Sequence, residues 1–170
     1  MDQTDSEFFG YVLSSGDMNM LIRSDLVNAG VLGSESSLTL NVATAIVNHN
    51  SIQAADEMII DAASYTGNTQ SALISSANLY LSVDDTASFN GNASGANLEV
   101  SAREIMAGLE AILWASGTLS LDAEGDLAFL GNGIIGAGVS AADVRINSQT
   151  SDITQEFGSQ ILSSEDLNLR

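Results

Sequence analysis

An apolar doublet, two apolar residues separated by one other residue, recurs about every 21 positions along this chain. Successive doublets begin 20, 20, 21, 19, 21, 25 and 23 residues apart. A period of this size is typical of solenoids, in which each repeat buries its apolar residues only by stacking on its neighbours. The eight doublets are Met18/Met20, Leu38/Leu40, Met58/Ile60, Leu79/Leu81, Leu98/Val100, Leu119/Leu121, Val144/Ile146 and Leu167/Leu169.

The residues around the doublets predict strands. In several repeats a third apolar residue follows two positions later, as in Leu38-Thr-Leu-Asn-Val42. The intervening positions are mostly polar, with Ile59 and Tyr80 as the apolar exceptions. Alternation with a period of two predicts a strand that has one side in a core and the other in solvent.

A second short apolar stretch, followed by small residues, precedes most of the doublets. These stretches are 12–15, 31–34, 52–55, 73–76, 134–137 and 161–164. Two short strands joined by a small-residue bend can form a core only by stacking on further copies, which predicts an all-β parallel β-helix of about eight rungs. We expect one domain over 1–170, with repeats in 12–170 and residues 1–11 as a linker or as a cover in which Phe8-Phe9-Gly10-Tyr11 closes the first rung.

Two further features favour this fold. The chain has no proline, as expected when nearly every backbone N–H donates to the rung above or below. An asparagine also follows the first three doublets at ten residues, and later ones at eleven and thirteen, and stacked asparagine side chains can form a hydrogen-bonded ladder. These asparagines are Asn28, Asn48, Asn68, Asn90 and Asn132.

Residues 101–116 allow two interpretations. Ser101 to Glu104 resembles a helix capping box, and Ile105 and Leu109 follow at helical spacing, which favours an amphipathic helix. The doublets on either side are only 21 residues apart, however, which leaves no room for a helix beyond the rung itself. We therefore predict a regular rung with an apolar turn.

The charge of the chain excludes several functions. Twenty-two acidic residues stand against four arginines and no lysine, for a net charge of −18. This balance disfavours nucleic acid and anionic membranes as partners, because both are bound through Lys and Arg. No stretch is long and apolar enough to predict a membrane span. The absence of cysteine excludes disulfides and thiolate metal sites.

The residues of acid–base chemistry do not form a catalytic set. His49 is the single histidine and falls in a predicted turn, so it cannot complete a zinc site or a nucleophile–base pair. Asp61 and Asp122 fall in one outward column but three rungs apart, which is about 14 Å. Paired carboxylates of glycoside hydrolases are roughly 5 to 9.5 Å apart. We therefore expect no enzymatic activity and no cofactor.

The acidic clusters leave a metal site open. Asp84-Asp85 and the acids of 122–126 offer oxygen ligands for calcium, but neither the EF-hand spacing nor the glycine–aspartate nonapeptide is present. The alternative is that this charge is solvated and keeps a long molecule soluble.

Three further features bear on binding. Asn92-Ala-Ser94 is a glycosylation sequon. Trp114 follows an apolar run and is predicted to lie in the core or against a neighbouring turn rather than to form a sugar platform. The last two intervals between doublets, 25 and 23 residues, are the longest. They indicate 147–160 as the longest insertion, where a functional loop is expected first.

Segments 115–127 and 161–169 resemble the degenerate repeats of filamentous haemagglutinin and related exoproteins of two-partner secretion, including the stalks of contact-dependent inhibition proteins. The resemblance covers about 12–170. It implies a right-handed parallel β-helix within a long rod, exported by Gram-negative bacteria through an outer-membrane transporter. These residues contain neither the Asn-Pro-Asn type of secretion motif nor a toxin domain, so we expect neither secretion recognition nor toxicity of this chain.

The leading hypothesis is therefore a structural and adhesive rod segment of a large secreted surface protein. Its expected partners are the transporter of the parent protein and a surface receptor or glycan. A self-assembling filament subunit is the alternative, because both ends of a β-helix offer unpaired strand edges. A polysaccharide-processing β-helix enzyme is the third hypothesis.

Overall fold

The computed structural model describes residues 6–132 and 137–170, and every regular element in these ranges is a β-strand. The strands pair in parallel and wind through three faces, so that each rung contributes one strand to each face. The doublet face contains β3 (Met18–Ile22), β6 (Leu38–Asn48), β8 (Met58–Gly67), β10 (Asn78–Val83), β13 (Asn97–Ala102), β16 (Thr118–Ala123), β19 (Asp143–Ser148) and β22 (Leu167–Leu169).

The other two faces follow in chain order. The second face contains β1 (Ser6–Phe8), β4 (Leu26–Asn28), the ends of β6 and β8, which continue around the corner, β11 (Thr86–Phe89), β14 (Glu104–Ala107), β17 (Leu127–Phe129) and β20 (Ile153–Gln155). The third face contains β2 (Tyr11–Ser14), β5 (Val31–Ser34), β7 (Ser51–Ala54), β9 (Ala72–Ser75), β12 (Asn92–Gly95), β15 (Ile112–Ala115), β18 (Gly138–Ala141) and β21 (Gln160–Ser163).

The register of the doublet face confirms the predicted repeat. Met18 lies opposite Leu38, Leu38 opposite Met58, and the alignment continues without a slip to Val144 opposite Leu167. The all-β, parallel β-solenoid of about eight turns is therefore confirmed.

Each rung has three strands where the sequence predicted two. The strands of the second face were missed because most contribute only three or four residues, too few for alternation to be visible. Their inward side chains, such as Leu26, Ile46 and Phe129, are fully buried. The rings of Tyr65 and Phe89 lie 5.3 Å apart between centroids in neighbouring rungs of this face. The core is thus a continuous column of side chains enclosed by three sheets.

Residues 101–116 form the predicted rung and no helix. Glu104–Ala107 and Ile112–Ala115 are strands of the second and third faces, with Ile105 and Leu113 buried. The strand ladders on both sides satisfy the backbone of this segment and override its helical spacing.

The third face differs from the sequence prediction in one rung. The predicted stretch 134–137 lies outside the described residues except for Ala137. The strand of that rung is β18, in which Val139 lies opposite Leu113. The strands β12 and β15 were also missed, because Asn92–Gly95 is too polar to be recognised and Ile112–Ala115 lay within the helix-like segment.

The first described residues form strands of the second and third faces. Ser6–Phe8 pairs with Leu26–Asn28, and Tyr11–Ser14 pairs with Val31–Ser34. Phe8 packs against the core, whereas Phe9 and Tyr11 are 75% and 80% exposed. Residues 1–5 lie outside the described ranges, so the linker or cover expected of 1–11 stays a prediction.

The segment 147–160 contains a strand of the second face. This strand, β20, divides the segment, and the gaps on either side of it are four residues each. The connection between β17 and β18 includes residues outside the described ranges, so the prediction that 147–160 is the longest insertion stays a prediction.

The asparagine ladder forms over two rungs and then ends. Asn28 and Asn48 are fully buried, and Asn28 Nδ2 donates to Asn48 Oδ1 at 2.9 Å. Gly67, and not Asn68, lies opposite Asn48, and the amide of Asn48 reaches the Tyr65 hydroxyl at 3.5 Å instead. Asn68 is displaced by one residue and contacts His49 at the surface. The Tyr65 hydroxyl thus takes the place in the ladder that the side-chain amide of Asn68 was expected to occupy.

A second asparagine stack was not predicted. Asn97 Nδ2 donates to Asn78 Oδ1 at 2.9 Å, and Asn97 Oδ1 accepts the backbone N–H of Thr118 at 2.9 Å. These residues lie at the corner between the third and doublet faces, where the side-chain amides join three successive rungs.

Replacing Asn48 by alanine should lower the free energy of unfolding by about 2 kcal/mol, because it removes a buried amide that accepts from Asn28 Nδ2 and donates to the Ala72 carbonyl. The surface variant Asn68→Ala is the control and should change it by less than about 0.5 kcal/mol. Urea unfolding measures both. Equal losses would contradict the buried ladder.

Burial raises the pKa of Tyr65 to about 12, against the weaker opposing effect of hydrogen bonds with Asn48 and Ser71. A phenol with a raised pKa contributes stability that is complete below pH 10 and is lost as the pH rises to about 12. We expect the free energy of unfolding of the unaltered protein to fall across this window. The free energy of unfolding of Tyr65→Phe should fall less steeply. Parallel pH profiles of the two proteins would contradict the burial of this hydroxyl.

Candidate binding surfaces

The two aspartates of the predicted outward column lie where the sequence placed them. Asp61 is opposite Ser82, Ser82 is opposite Ser101, and Ser101 is opposite Asp122. The carboxylates are therefore three rungs apart with two serines between them. This confirms the predicted separation, which is too long for a carboxylate pair.

His49 lies at an exposed corner after the second face. Its Nδ1 contacts the side-chain amide of Asn68 in the next rung. This contact joins adjacent turns of the solenoid, and it gives the histidine the structural position that the sequence predicted.

Arg103 organises the acids at one corner. Its Nε donates to Asp85 Oδ1 at 2.9 Å, and its Nη1 donates to Glu104 Oε1 at 2.7 Å. These bonds, that to Asp85 foremost, raise the pKa of the arginine. All three side chains are exposed to solvent, so the ion pairs contribute little stability. Asp85 is thus engaged by a cation from its own chain.

The acids of 122–126 also form hydrogen bonds between rungs. Asp122 accepts the amides of Asn147 at 3.0 Å and Gln149 at 3.2 Å, and Asp126 accepts the Ser151 hydroxyl. Within 6–132 and 137–170, no three acidic or histidine side chains come together as a metal site would require.

Two further corner aspartates were not singled out from the sequence. Asp17 accepts the hydroxyl of Ser36 at 2.5 Å and the N–H of Ser37, and these bonds lower the pKa of its carboxyl. Asp25 accepts the Thr44 hydroxyl and the N–H of Ala45 in the same way, with the same direction of shift. Each carboxylate therefore joins its own rung to the next one through hydrogen bonds.

Trp114 is the largest departure from the sequence prediction. Its side chain is 47% exposed on the third face, because the inward positions of β15 belong to Leu113 and Ala115. Of the two positions that the sequence predicted, the core and the surface of a neighbouring turn, the core is therefore wrong. In the neighbouring rungs it lies opposite Ser94 and Ser140, whose small side chains leave the indole uncovered.

The third face carries no charged residue in any of its eight strands. The doublet face, by contrast, carries Asp61, Glu99, Asp122, Asp143 and Arg145. The outward side chains of the third face are apolar, hydroxyl or amide groups. Its exposed large apolar residues are Tyr11, Leu13, Ile74, Ile112, Trp114 and Leu162.

A shallow groove of about 400 Å³ crosses this face beside the indole. Trp114 and Leu162 form its two apolar walls, and Ser140 lies between them. Within the described part of the chain, no residue hydrogen-bonds to the hydroxyl of Ser140 or of the adjoining Ser116. The groove therefore combines an aromatic ring with hydroxyl groups that are available to a ligand.

Asn92 lies on the same face, exposed at the start of β12. The side chain of the sequon is therefore accessible, while Ser94 belongs to the column that contains Trp114.

Comparison of the chain with protein-family models, with curated proteins and with solved structures returned no match. No helix among the described residues is long and apolar enough to cross a membrane.

The indole of Trp114 gives a direct test of this surface, because it is the only tryptophan. Its fluorescence should have the emission maximum of a solvated indole and should be quenched by neutral acrylamide in the folded protein. Iodide should quench it less, because the net charge of −18 repels anions. A blue-shifted emission that acrylamide reaches only after unfolding would place the side chain in the core and contradict the register of β15.

Proposed function

We propose that this chain is a structural and adhesive rod segment of a large bacterial surface protein of the filamentous haemagglutinin type. The supporting observation is the unbroken register of the doublet face, in which each rung lies on the rung before it from Met18 to Leu167. A repeat of this kind builds a column of stacked rungs, which is what a rod segment requires.

The faces of the column support the same proposal. Outward side chains repeat on every rung, so each face is a continuous surface along the molecule, such as the uncharged third face with its exposed Trp114. A rod of this kind holds its faces at fixed positions, and these faces are what it presents to other molecules.

Stacking of separate copies is the second candidate, since the two ends of the solenoid could meet. Charge opposes it, because Glu7 and Asp17 at one end outnumber the exposed Arg23, and Glu165 and Asp166 at the other outnumber Arg170. Like charges across a contact cost free energy that salt screens. We therefore place assembly into filaments behind the rod segment.

Sedimentation velocity at low and high salt separates these two functions. A rod segment should sediment as a monomer at every protein concentration in low salt, with eight rungs spanning about 38 Å along its axis. Association that grows with concentration in both salt conditions would instead favour the filament subunit.

The location of the protein tests the remaining part of the proposal. Antibodies raised against this chain should label intact, unpermeabilised cells of its source bacterium. Labelling that requires permeabilisation would contradict a role at the cell surface, whatever the shape of the molecule.

A further inference from the structure

We propose that the third face binds a neutral, extended β-1,4-linked polysaccharide, with Trp114 at the centre of the binding surface. This inference deepens the adhesive part of the proposed function by naming the ligand class and the site. It starts from the distribution of charge. In a protein of net charge −18, the eight strands of this face contain no charged side chain.

A surface without charge fits a partner without charge. An anionic partner would be repelled by the acids of the other faces, and a cationic one would find no carboxylate here with which to pair. The strands of this face are also aligned without a bulge from β2 to β21, so each outward column continues from rung to rung. A neutral linear polymer can follow such a face from rung to rung.

The spacing of the outward side chains points to a carbohydrate. One column of consecutive partners alternates apolar and hydroxyl side chains over five rungs: Ile74, Ser94, Trp114, Ser140 and Leu162. Apolar groups thus recur every two rungs, or about 9.6 Å. That repeat is close to the length of one disaccharide in an extended β-1,4-linked chain, so that alternate sugar rings would meet an apolar side chain.

The chemistry of the column suits sugar rings. The C–H face of a pyranose packs on an exposed indole, and its hydroxyls exchange hydrogen bonds with serine hydroxyls. Ser94 and Ser140 have no hydrogen-bonding partner for their side chains within 6–132 and 137–170. The groove between Trp114 and Leu162 offers a place where one ring can be partly enclosed.

A second copy of the chain is a less suitable occupant. The third face measures about 38 by 13 Å, or about 500 Å². A stable protein–protein interface takes about 800 Å² from each partner, and bringing two molecules of charge −18 together adds repulsion.

The test is retention of the purified protein on insoluble cellulose and chitin, followed by titration with cellohexaose and chitohexaose in a calorimeter, which also measures variants that lack the indole. We expect retention on at least one of the two polymers and the same retention in low and molar salt, because no charge takes part. Trp114→Ala should weaken binding about tenfold, which is the size of one aromatic stacking contact.

Ser140→Asp is the second variant, since it places a charge on the sugar path at an outward position that the fold does not need. It should weaken binding by a similar factor. Tyr80→Ala is the matched control, because it removes a partly exposed aromatic side chain from the doublet face, and it should bind as the unaltered protein does. Circular dichroism shows that each variant is folded.

Three results would overturn the proposal. One is the absence of retention on both polymers, and another is equal retention of Trp114→Ala, Ser140→Asp and the control. The third is a dimer that forms with concentration and is lost in Trp114→Ala, which would make the face a self-association surface. The first two results do not bear on whether the molecule is a monomeric rod at the cell surface. The dimer of the third result is separated from end-to-end stacking by the sedimentation of Trp114→Ala, because this variant loses a contact through the third face and keeps one through the ends. The two proposals therefore fail separately.

Discussion

The structure depends on one constraint, that every rung must lie in register on the rung before it. Parallel ladders on three faces satisfy the backbone of each turn only through its neighbours, and no rung has a core of its own. This constraint accounts for the absence of proline and for the strict alignment of the doublets. It also accounts for the corner residues, since Asp17, Asp25 and Asn97 all bind the following rung.

The same register arranges the repeated outward positions of the sequence into continuous surfaces. Because side chains alternate along each strand and repeat on every rung, an outward position becomes a column that runs the length of the molecule. The columns of the doublet face carry acids, such as Asp61 and Asp122. The columns of the third face carry none and contain Trp114. A solenoid can therefore keep its solubility on one face and offer a neutral surface on another.

The doublets made the fold predictable, because two apolar residues separated by one other residue recur eight times at a nearly constant spacing. The second face was not predictable in this way, since strands such as Leu26–Asn28 are too short to show a period. The misplaced Trp114 has a related cause. In the run Ile112–Ala115 every side chain but one is large and apolar, so hydrophobicity does not reveal which residues point inward. Only the pairing of Leu113 with Ala93 and Val139 decides it.

The absence of cysteine makes the register directly measurable. Spin labels at engineered cysteines in one outward column of the doublet face report the distance between chosen rungs. Asn19 and Asn168 lie seven rungs apart in this column, and Thr39 and Ser120 lie four apart. We predict narrow distance distributions centred near about 34 Å and 19 Å, in proportion to the number of rungs. Broad distributions, or a ratio that departs from seven to four, would contradict the stacked solenoid and the surfaces derived from it.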